Sequence, residues 1–237
     1  MIILGILEYN TKLVRPFRPG FHTCTTCVSA SSCVVYGCST TTSTDRARPA
    51  RDVIEVIKGS RTIRAFTSGP IPEEDINMLL EAAMWAPSHR NEQPWEFARV
   101  GPESRAKLLK MLQLKIDELL NSGKVPEPAR PGLLSLKDDF GGAAQLIAVI
   151  ARPGADILGT QQNFAATAGA AMNMQLAAWE KGIGSVWLTV GSVPPAKPIL
   201  QAKSGHTVVA LPALGYPKET PPAPPREDFR ERVTELP

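Results

Sequence analysis

The sequence predicts a folded domain of mixed helices and strands, preceded by a segment of different composition. Residues 76–84 carry apolar side chains at helical spacing, and residues 161–181 form an alanine-rich stretch of high helix propensity. Residues 145–151 form a short apolar run that is typical of a buried strand. The 237 residues are 43% hydrophobic, which is enough for one compact domain, or two small ones, with a real core.

Residues 1–50 are rich in Ser, Thr and Arg, poor in acidic residues and without a sustained helical period. They contain all four cysteines of the chain, Cys24, Cys27, Cys33 and Cys38. The first pair has metal-ligand spacing, so a zinc site is one interpretation; disulfides and an organellar transit peptide are others. Because the flanking residues lack the framework of a zinc ribbon, we favour a disordered extension without a metal site. We place the folded domain at residues 51–237.

Charge and hydropathy argue against two classes of partner. The net charge is only +3, and the Lys and Arg residues are dispersed instead of clustered as in nucleic-acid-binding proteins. The longest apolar run, near residues 146–151, is far shorter than the roughly 20 residues that a membrane-spanning helix needs. We therefore expect a soluble, cytoplasmic protein that binds neither nucleic acid nor a membrane.

A short helix opens the folded part, with Asp52 suited to its N-cap. Gly59 can end this helix in a left-handed conformation. The single apolar face of the helix consists of Val53, Ile54 and Ile57.

The basic segment, residues 60–64 with the sequence SRTIR, concentrates two guanidinium groups and two hydroxyls. Guanidinium groups bind phosphate through paired hydrogen bonds, and hydroxyls add further donors. Arg61, Thr62 and Arg64 are therefore candidate phosphate ligands. The alternative is a pair of solvated arginines at a helix end.

A helix and a polar loop follow. Acidic residues lie in the first turn of the helix, where the helix dipole favours negative charge. The apolar spacing of the helix predicts a buried face formed by Ile76, Leu79, Leu80, Ala83 and Met84. Pro87 ends the helix and opens the lip, residues 86–97, in which Ser88, His89 and Asn91 supply hydrogen-bonding groups. Such groups suit the edge of a flat heteroaromatic ligand, although a polar surface loop has the same composition.

The remaining elements alternate between strands and helices. We predict strands at residues 95–100, 145–151, 185–189 and 207–214, and helices at residues 102–121 and 161–181. A loop is predicted at residues 124–132, which contain proline and glycine. The alanine-rich helix has a smooth apolar surface, so we expect it to be buried on more than one side, at the centre of the fold or of a dimer. A proline-rich tail holds Arg226 in an extended segment, where it can reach another site or solvent.

The sequence lacks the common signatures of catalysis by side chains alone. It has no glycine-rich nucleotide loop, no nucleophile elbow and no His-Glu-x-x-His motif, and its three histidines form no readable cluster. An enzyme of this kind depends on a cofactor for its chemistry. Because arginines would hold the phosphate in place of a glycine-rich loop, the combination favours a mononucleotide flavin.

Four ordered blocks resemble the nitroreductase family of FMN flavoproteins over residues 51–226. They read SRTIRAF, PIPEEDINMLLEAAMWAPSHRNEQPWEF, AAMNMQLAAWEKGIGSVWLT and ALPALGYP. The lip together with GIGSVW is most similar to the small NAD(P)H nitroreductases of that family. The resemblance implies an α+β fold with a central, mostly antiparallel sheet wrapped by helices. It also implies a homodimer with the long central helix at its interface and FMN bound there.

The resemblance implies three groups of cofactor-binding residues. They are the phosphate ligands Arg61, Thr62, Arg64 and Arg226, the partner-facing Pro87, Ser88, His89 and Asn91, and the ring wall Trp187, Leu188 and Thr189. A backbone N–H of the ring wall would lie near the flavin nitrogen that accepts the hydride. The chain departs from many members in having Ser60 in place of a second arginine and Thr189-Val190 in place of two glycines.

The implied activity is FMN-dependent reduction of nitroaromatics, quinones or similar small acceptors by NAD(P)H, in two alternating half-reactions that share one pocket. We assign no catalytic side chain and no metal ligand. Two alternatives stay open. One is a flavin-binding protein without turnover that serves as a store or sensor, and the other is a relative with dehalogenase or flavin-fragmenting activity.

Overall fold

The structure is a computed structural model and describes residues 52–237, so the interpretations of the four cysteines and of the extension fall outside the described residues. The described chain forms seven α-helices and four β-strands. In order they are α1 (Val53–Gly59), α2 (Glu73–Met84), β1 (Trp95–Arg99), α3 (Pro102–Asn121), α4 (Arg130–Lys137), α5 (Asp139–Gly142), β2 (Gln145–Ala151), α6 (Ile157–Glu180), β3 (Gly184–Leu188), α7 (Ala196–Ile199) and β4 (Thr207–Gly215). Within this range no helix combines the length and apolarity that a membrane span requires.

The four strands form one sheet in the order β1-β2-β4-β3, and all neighbouring strands are antiparallel. The sheet and its surrounding helices confirm the predicted α+β fold with a mostly antiparallel sheet. On the outer edge of β3, one parallel bridge joins Thr62 to Ser185. The basic segment therefore runs beside the sheet.

Two hydrophobic clusters lie on the two sides of β2. Helices α2 and α6 pack with Ile147 and Val149, whereas α3 and α4 pack with Leu146 and Ala148. Successive side chains of a strand point to opposite faces of the sheet, so β2 contributes to both clusters. Burial on both faces explains why its sequence is a continuous apolar run and not an alternating one.

Helix α6 is buried along one side only within a single chain. Ala170 and Met174 are inaccessible to solvent in the cluster with α2 and the sheet, whereas Phe164 and Met172 are 45% and 49% exposed. Within one chain, α6 is therefore buried on one of the sides for which we predict burial. Burial of the opposite, apolar side in a dimer stays a prediction.

The left-handed conformation predicted for Gly59 is wrong. Gly59 is the last residue of α1, and the chain leaves the helix in an extended conformation at Ser60. A Cβ at Gly59 would lie 3.3 Å from the Nε1 atom of Trp179, so the glycine allows α1 to approach α6 closely. The predicted N-cap is confirmed, because the Asp52 carboxylate accepts a hydrogen bond from the N–H of Ile54.

Two other local predictions need correction. Residues 124–132 are not all loop, because α4 begins at Arg130 with Pro131 in its first turn, a position where proline is tolerated. Met84 does not belong to the buried face of α2. It is 45% exposed, and its Sδ lies 3.0 Å from the indole Nε1 of Trp95.

Candidate functional site

Ile63 anchors the basic segment to the edge of β3. Its side chain is only 1% exposed, and its N–H donates to the carbonyl oxygen of Ser185 over 2.9 Å. The N–H of Lys218 donates to the carbonyl oxygen of Ala65 over 3.0 Å, which ties the start of the tail to the same segment. These contacts fix the backbone from which the two arginines project.

A polar pocket of about 270 Å³ lies where the basic segment, α6, β3 and the tail meet. Its wall includes Arg61, Thr62, Gln175, Ser185, Trp187 and Arg226. Three of the four predicted phosphate ligands therefore line one pocket, and one of the three, Arg226, comes from the distant tail. Among the described residues that line it there is no carboxylate, so its two arginines give it positive charge.

Arg61 has a donor without an acceptor in this pocket. Its Nη1 donates to the carbonyl oxygens of Lys58 and Ser60 over 2.7 and 2.8 Å. Its Nε is buried and makes no hydrogen bond within residues 52–237. Buried side-chain donors normally have a partner, so an unpaired guanidinium donor in a positively charged pocket indicates a place for an anion.

Sequence reasoning missed the helical wall of the polar pocket. Four residues of α6 form it, Met172, Gln175, Leu176 and Trp179. The Nε2 of Gln175 donates to Ser185 Oγ over 2.8 Å and so links α6 to β3. Spacings of three and four residues place side chains on one helix face, and this periodicity could have identified the wall.

An apolar cavity of about 490 Å³ shares Trp187 with the polar pocket. It lies between α3, α4 and the end of β3 and opens to solvent, with Leu112, Leu119, Leu133, Leu136, Val190 and Val193 in its wall. Arg64, Leu188 and Thr189 line this cavity and not the polar pocket, so the structure separates Arg64 from Arg61. Thr189 belongs to a 3₁₀ turn after β3, so the prediction that the strand extends to residue 189 is wrong.

The lip forms a third pocket, of about 390 Å³, against the first half of α6. Pro87, Ser88 and His89 line it together with Gln162, Ala165, Ala166 and Gly169. Asn91 is exposed on the same loop and does not line the pocket. Within one chain, the lip residues and the predicted phosphate ligands therefore occupy separate places.

The backbone of the lip is constrained. Arg90, Asn91 and Gln93 have positive φ angles of 49°, 57° and 45°, a region that residues with a Cβ seldom adopt. The Nη2 of Arg152 donates to the carbonyl oxygens of Glu92 and Gln93, over 2.7 and 3.0 Å. This arginine on the neighbouring chain segment thus holds the strained loop in its shape.

The sequence profile described as the nitroreductase family matches residues 57–216, well over half of the chain. The chain belongs to the nitroreductase family. A relative from Bacillus subtilis (strain 168), named "Putative NAD(P)H nitroreductase YfhC", is 31% identical over 186 residues, which is 77% of this chain and 93% of the relative. Membership of the nitroreductase family supports an oxidoreductase activity.

Solved structures of nitroreductase-like proteins have the same fold. A nitroreductase-like family protein from Bacillus cereus superposes with a TM-score of 0.64 at 25% identity, and the match covers 78% of this chain and 96% of the other. The Vibrio harveyi NADPH:FMN oxidoreductase, solved in complex with NAD⁺, superposes with a TM-score of 0.62 at 21% identity. The match covers 77% of this chain and 76% of the oxidoreductase. At that identity the second comparison shows the fold alone.

Proposed function

We propose that this protein is an FMN-dependent NAD(P)H oxidoreductase that reduces nitroaromatics, quinones or similar small acceptors. The observation that carries the proposal is the convergence of Arg61, Thr62 and Arg226 in one positively charged pocket beside Trp187. Family membership supplies the redox class. A protein of the same fold is by name an NADPH:FMN oxidoreductase.

The polar pocket suits the phosphate monoester of FMN. A phosphate oxygen can accept from the guanidinium groups of Arg61 and Arg226, and Thr62 adds a hydroxyl donor. The pocket volume of about 270 Å³ is slightly below the roughly 300 Å³ at which most ligand sites begin. One chain therefore offers room for one end of the cofactor, and the flat ring system needs further walls.

A second copy of the chain supplies those walls in a homodimer. The lip pocket uses residues 162–169 of α6, and the polar pocket uses residues 172–179 of the same helix. A two-fold axis across the middle of α6 therefore brings the lip of one chain to the polar pocket of its partner. The exposed apolar side chains of α1 and α6, among them Val53, Ile54, Phe164 and Met172, would be covered in the same contact.

When bound, FMN supplies the redox chemistry, because it takes a hydride from NAD(P)H and passes two electrons to an acceptor. The chain binds and orients the cofactor. Arg61, Thr62 and Arg226 hold the phosphate, and Trp187 with Leu188 and Thr189 lies beside the ring at the end of β3. Pro87, Ser88, His89 and Asn91 of the partner's lip would close the pocket and exclude water. Arg64 lines the neighbouring apolar cavity.

Visible spectroscopy of the purified full chain tests this function. We expect flavin absorbance that bleaches when NADH or NADPH is added without oxygen. A yellow protein that neither nucleotide bleaches would indicate storage or sensing in place of turnover. A colourless protein that cannot take up added FMN would overturn the proposal.

The phosphate assignment has its own test. Arg61→Ala removes a charged donor, so we expect its Kd for FMN to rise by about tenfold or more, measured by the quenching of flavin fluorescence on binding. The control is Arg230→Ala, which removes an exposed arginine paired with Asp228 in the tail. Equal Kd values for the two variants would make the phosphate assignment wrong.

A further inference from the structure

The apolar cavity begins at Leu188 and Thr189 of the proposed ring wall and extends along α3 and α4, whose residues make no proposed phosphate or ring contact. Its volume of about 490 Å³ lies within the roughly 300–1,000 Å³ of small-molecule sites. The cavity is open to solvent, since Leu114 and Leu119 in its wall are 72% and 39% exposed. Soluble proteins rarely expose a contiguous apolar surface that has no binding role, so this cleft between α3, α4 and β3 is a candidate ligand site.

The wall of the cavity selects for an aliphatic ligand. Leu112 and Leu136 are buried at its inner side, whereas Leu119 and Val193 are 39% and 38% exposed. The apolar wall thus continues from the core to the solvent. A ligand that enters here removes apolar surface from water along its whole length, at about 0.8 kcal/mol per buried methylene group.

The wall of the apolar cavity also contains polar groups. The exposed side chains of Arg64 and Thr189 line the cavity, and Thr189 directly follows the strand that carries Trp187. Lys115 also lines it, but its Nζ is paired with the carboxylate of Glu118 over 2.8 Å. Arg64 and Thr189 are therefore the groups placed to donate hydrogen bonds to ligand oxygens.

The class of ligand follows from the residue that connects the apolar cavity to the polar pocket proposed for FMN. Trp187 lines both the polar pocket and the apolar cavity, so a molecule in the cavity has its polar end beside the proposed flavin ring wall. We propose that the apolar cavity binds the aliphatic side chain of an amphipathic quinone acceptor, with the quinone oxygens near Arg64 and Thr189. This inference rests on the proposed function and adds to it a preference for acceptors with an apolar chain.

Two quinones and calorimetry test the proposal on the holoprotein. The probes are a dimethoxy-methylbenzoquinone and the same ring carrying a decyl chain, titrated without NAD(P)H so that no turnover occurs. We expect the decyl compound to bind with a Kd at least about tenfold lower than the tail-less one. Equal Kd values would overturn the proposal and leave the proposed function intact.

Matched variants test whether the decyl chain of the quinone binds in the apolar cavity. Leu119→Glu introduces a charge into the cavity wall, and Val193→Trp fills its mouth without a charge; each should abolish the preference for the decyl compound. The control is Leu134→Glu on α4, at an exposed leucine that does not line the cavity, and it should keep the preference. Loss of the preference in all three variants would overturn the proposal, because it would show a non-specific effect.

Turnover separates this proposal from the function on which it rests. With NADPH or NADH added, the decyl compound should have the lower KM, and Leu119→Glu should raise that KM towards the value for the tail-less quinone. If the protein binds the decyl chain through Leu119 but reduces neither quinone, the proposed function fails and the ligand is not an acceptor. If it reduces both quinones with equal KM, the cavity assignment alone fails.

Discussion

Gly184 packs directly against Ile63, so closely that a Cβ on the glycine would lie 2.6 Å from Ile63 Cγ1 and 2.9 Å from Pro217 Cγ. We predict that Gly184→Ala destabilises the protein by about 1–3 kcal/mol, because overpacking forces neighbouring groups to move. The midpoint of urea unfolding measures this change. Gly101→Ser is the control, because a Cβ at Gly101 meets nothing within 4 Å and a serine suits this N-cap of α3, so its midpoint should stay at or above that of the wild type. Similar midpoints for both variants would mean that Ile63 moves aside without cost.

Arg105 on α3 should contribute far more to stability than its neighbour Lys107. Its guanidinium binds the carboxylate of Asp139 and the carbonyl oxygens of Asp139 and Ala143, and it lies 5.4 Å from the ring centre of Phe140. We expect Arg105→Ala to cost about 2–4 kcal/mol, because partly buried acceptors lose their donor.

Lys107→Ala is the matched comparison on the same helix. Its i,i+4 pair with Glu103 is exposed and should contribute far less to stability, because solvent screens both charges. Thermal and urea unfolding of both variants measure the difference. A loss for Lys107→Ala as large as that for Arg105→Ala would contradict the prediction.

Removal of Arg152 should loosen the lip without unfolding the domain. Arg152→Ala deletes the donor that holds the carbonyl oxygens of Glu92 and Gln93, so the strained loop loses an external support. We expect faster amide hydrogen exchange in residues 88–94, measured by mass spectrometry. Arg99→Ala, which breaks a surface ion pair with Glu73, should leave exchange in the lip unchanged. Unchanged exchange in the Arg152 variant would show that the loop holds its shape by itself.

The stability of the protein should depend on Glu96 in mildly acidic solution. The hydrogen bond from Lys203 Nζ, 3.1 Å away, lowers the pKa of Glu96 below its ordinary value of 4.5; desolvation opposes this shift, and the positive charges of Lys203 and His206 add to it. A lowered pKa in the folded state gives stability that is fully present above pH 4.5 and is lost as the pH falls through the folded pKa.

We therefore expect the wild type to exceed Glu96→Gln in stability by up to about 1 kcal/mol near pH 7, because the pair is partly exposed. This difference should shrink as the pH falls below 4.5. Urea unfolding at several pH values measures it. If the difference in stability stays constant over this pH range, ionisation of Glu96 is not its cause.

The elements with the clearest local signals were predicted best. Helix α3 spans Pro102–Asn121 as predicted, because a proline begins it and Gly123 follows it with a φ of 69°. Helix α4 was missed because its proline and Gly132 were interpreted as loop residues. A Cβ at Gly132 would lie 2.9 Å from Arg64 Cδ, so the glycine meets a tertiary contact that no local pattern records.

The site was predicted as a set of residues but not as an arrangement. Local composition identified Arg61 and Arg64 together, yet the two are three positions apart beside a strand and line different cavities. Arg64 packs beside Gly132 of α4, whereas Arg61 donates to the carbonyl oxygens of Lys58 and Ser60, so tertiary and local contacts separate the two arginines. Gln175 lines the polar pocket only because α6 packs against β3, and this packing cannot be read from a local sequence pattern.

Strand β3 lies at the edge of the sheet. Beyond the bridge between Thr62 and Ser185, the strand has no neighbouring strand on that side among residues 52–237. An uncovered strand edge is a template for pairing with other chains, and proteins cover such edges to avoid aggregation. The basic segment covers this edge, because the N–H of Ile63 donates to the carbonyl oxygen of Ser185 and four of the five residues of β3 are buried. A change that detaches the basic segment from β3 is therefore expected to expose a pairing edge and to promote self-association.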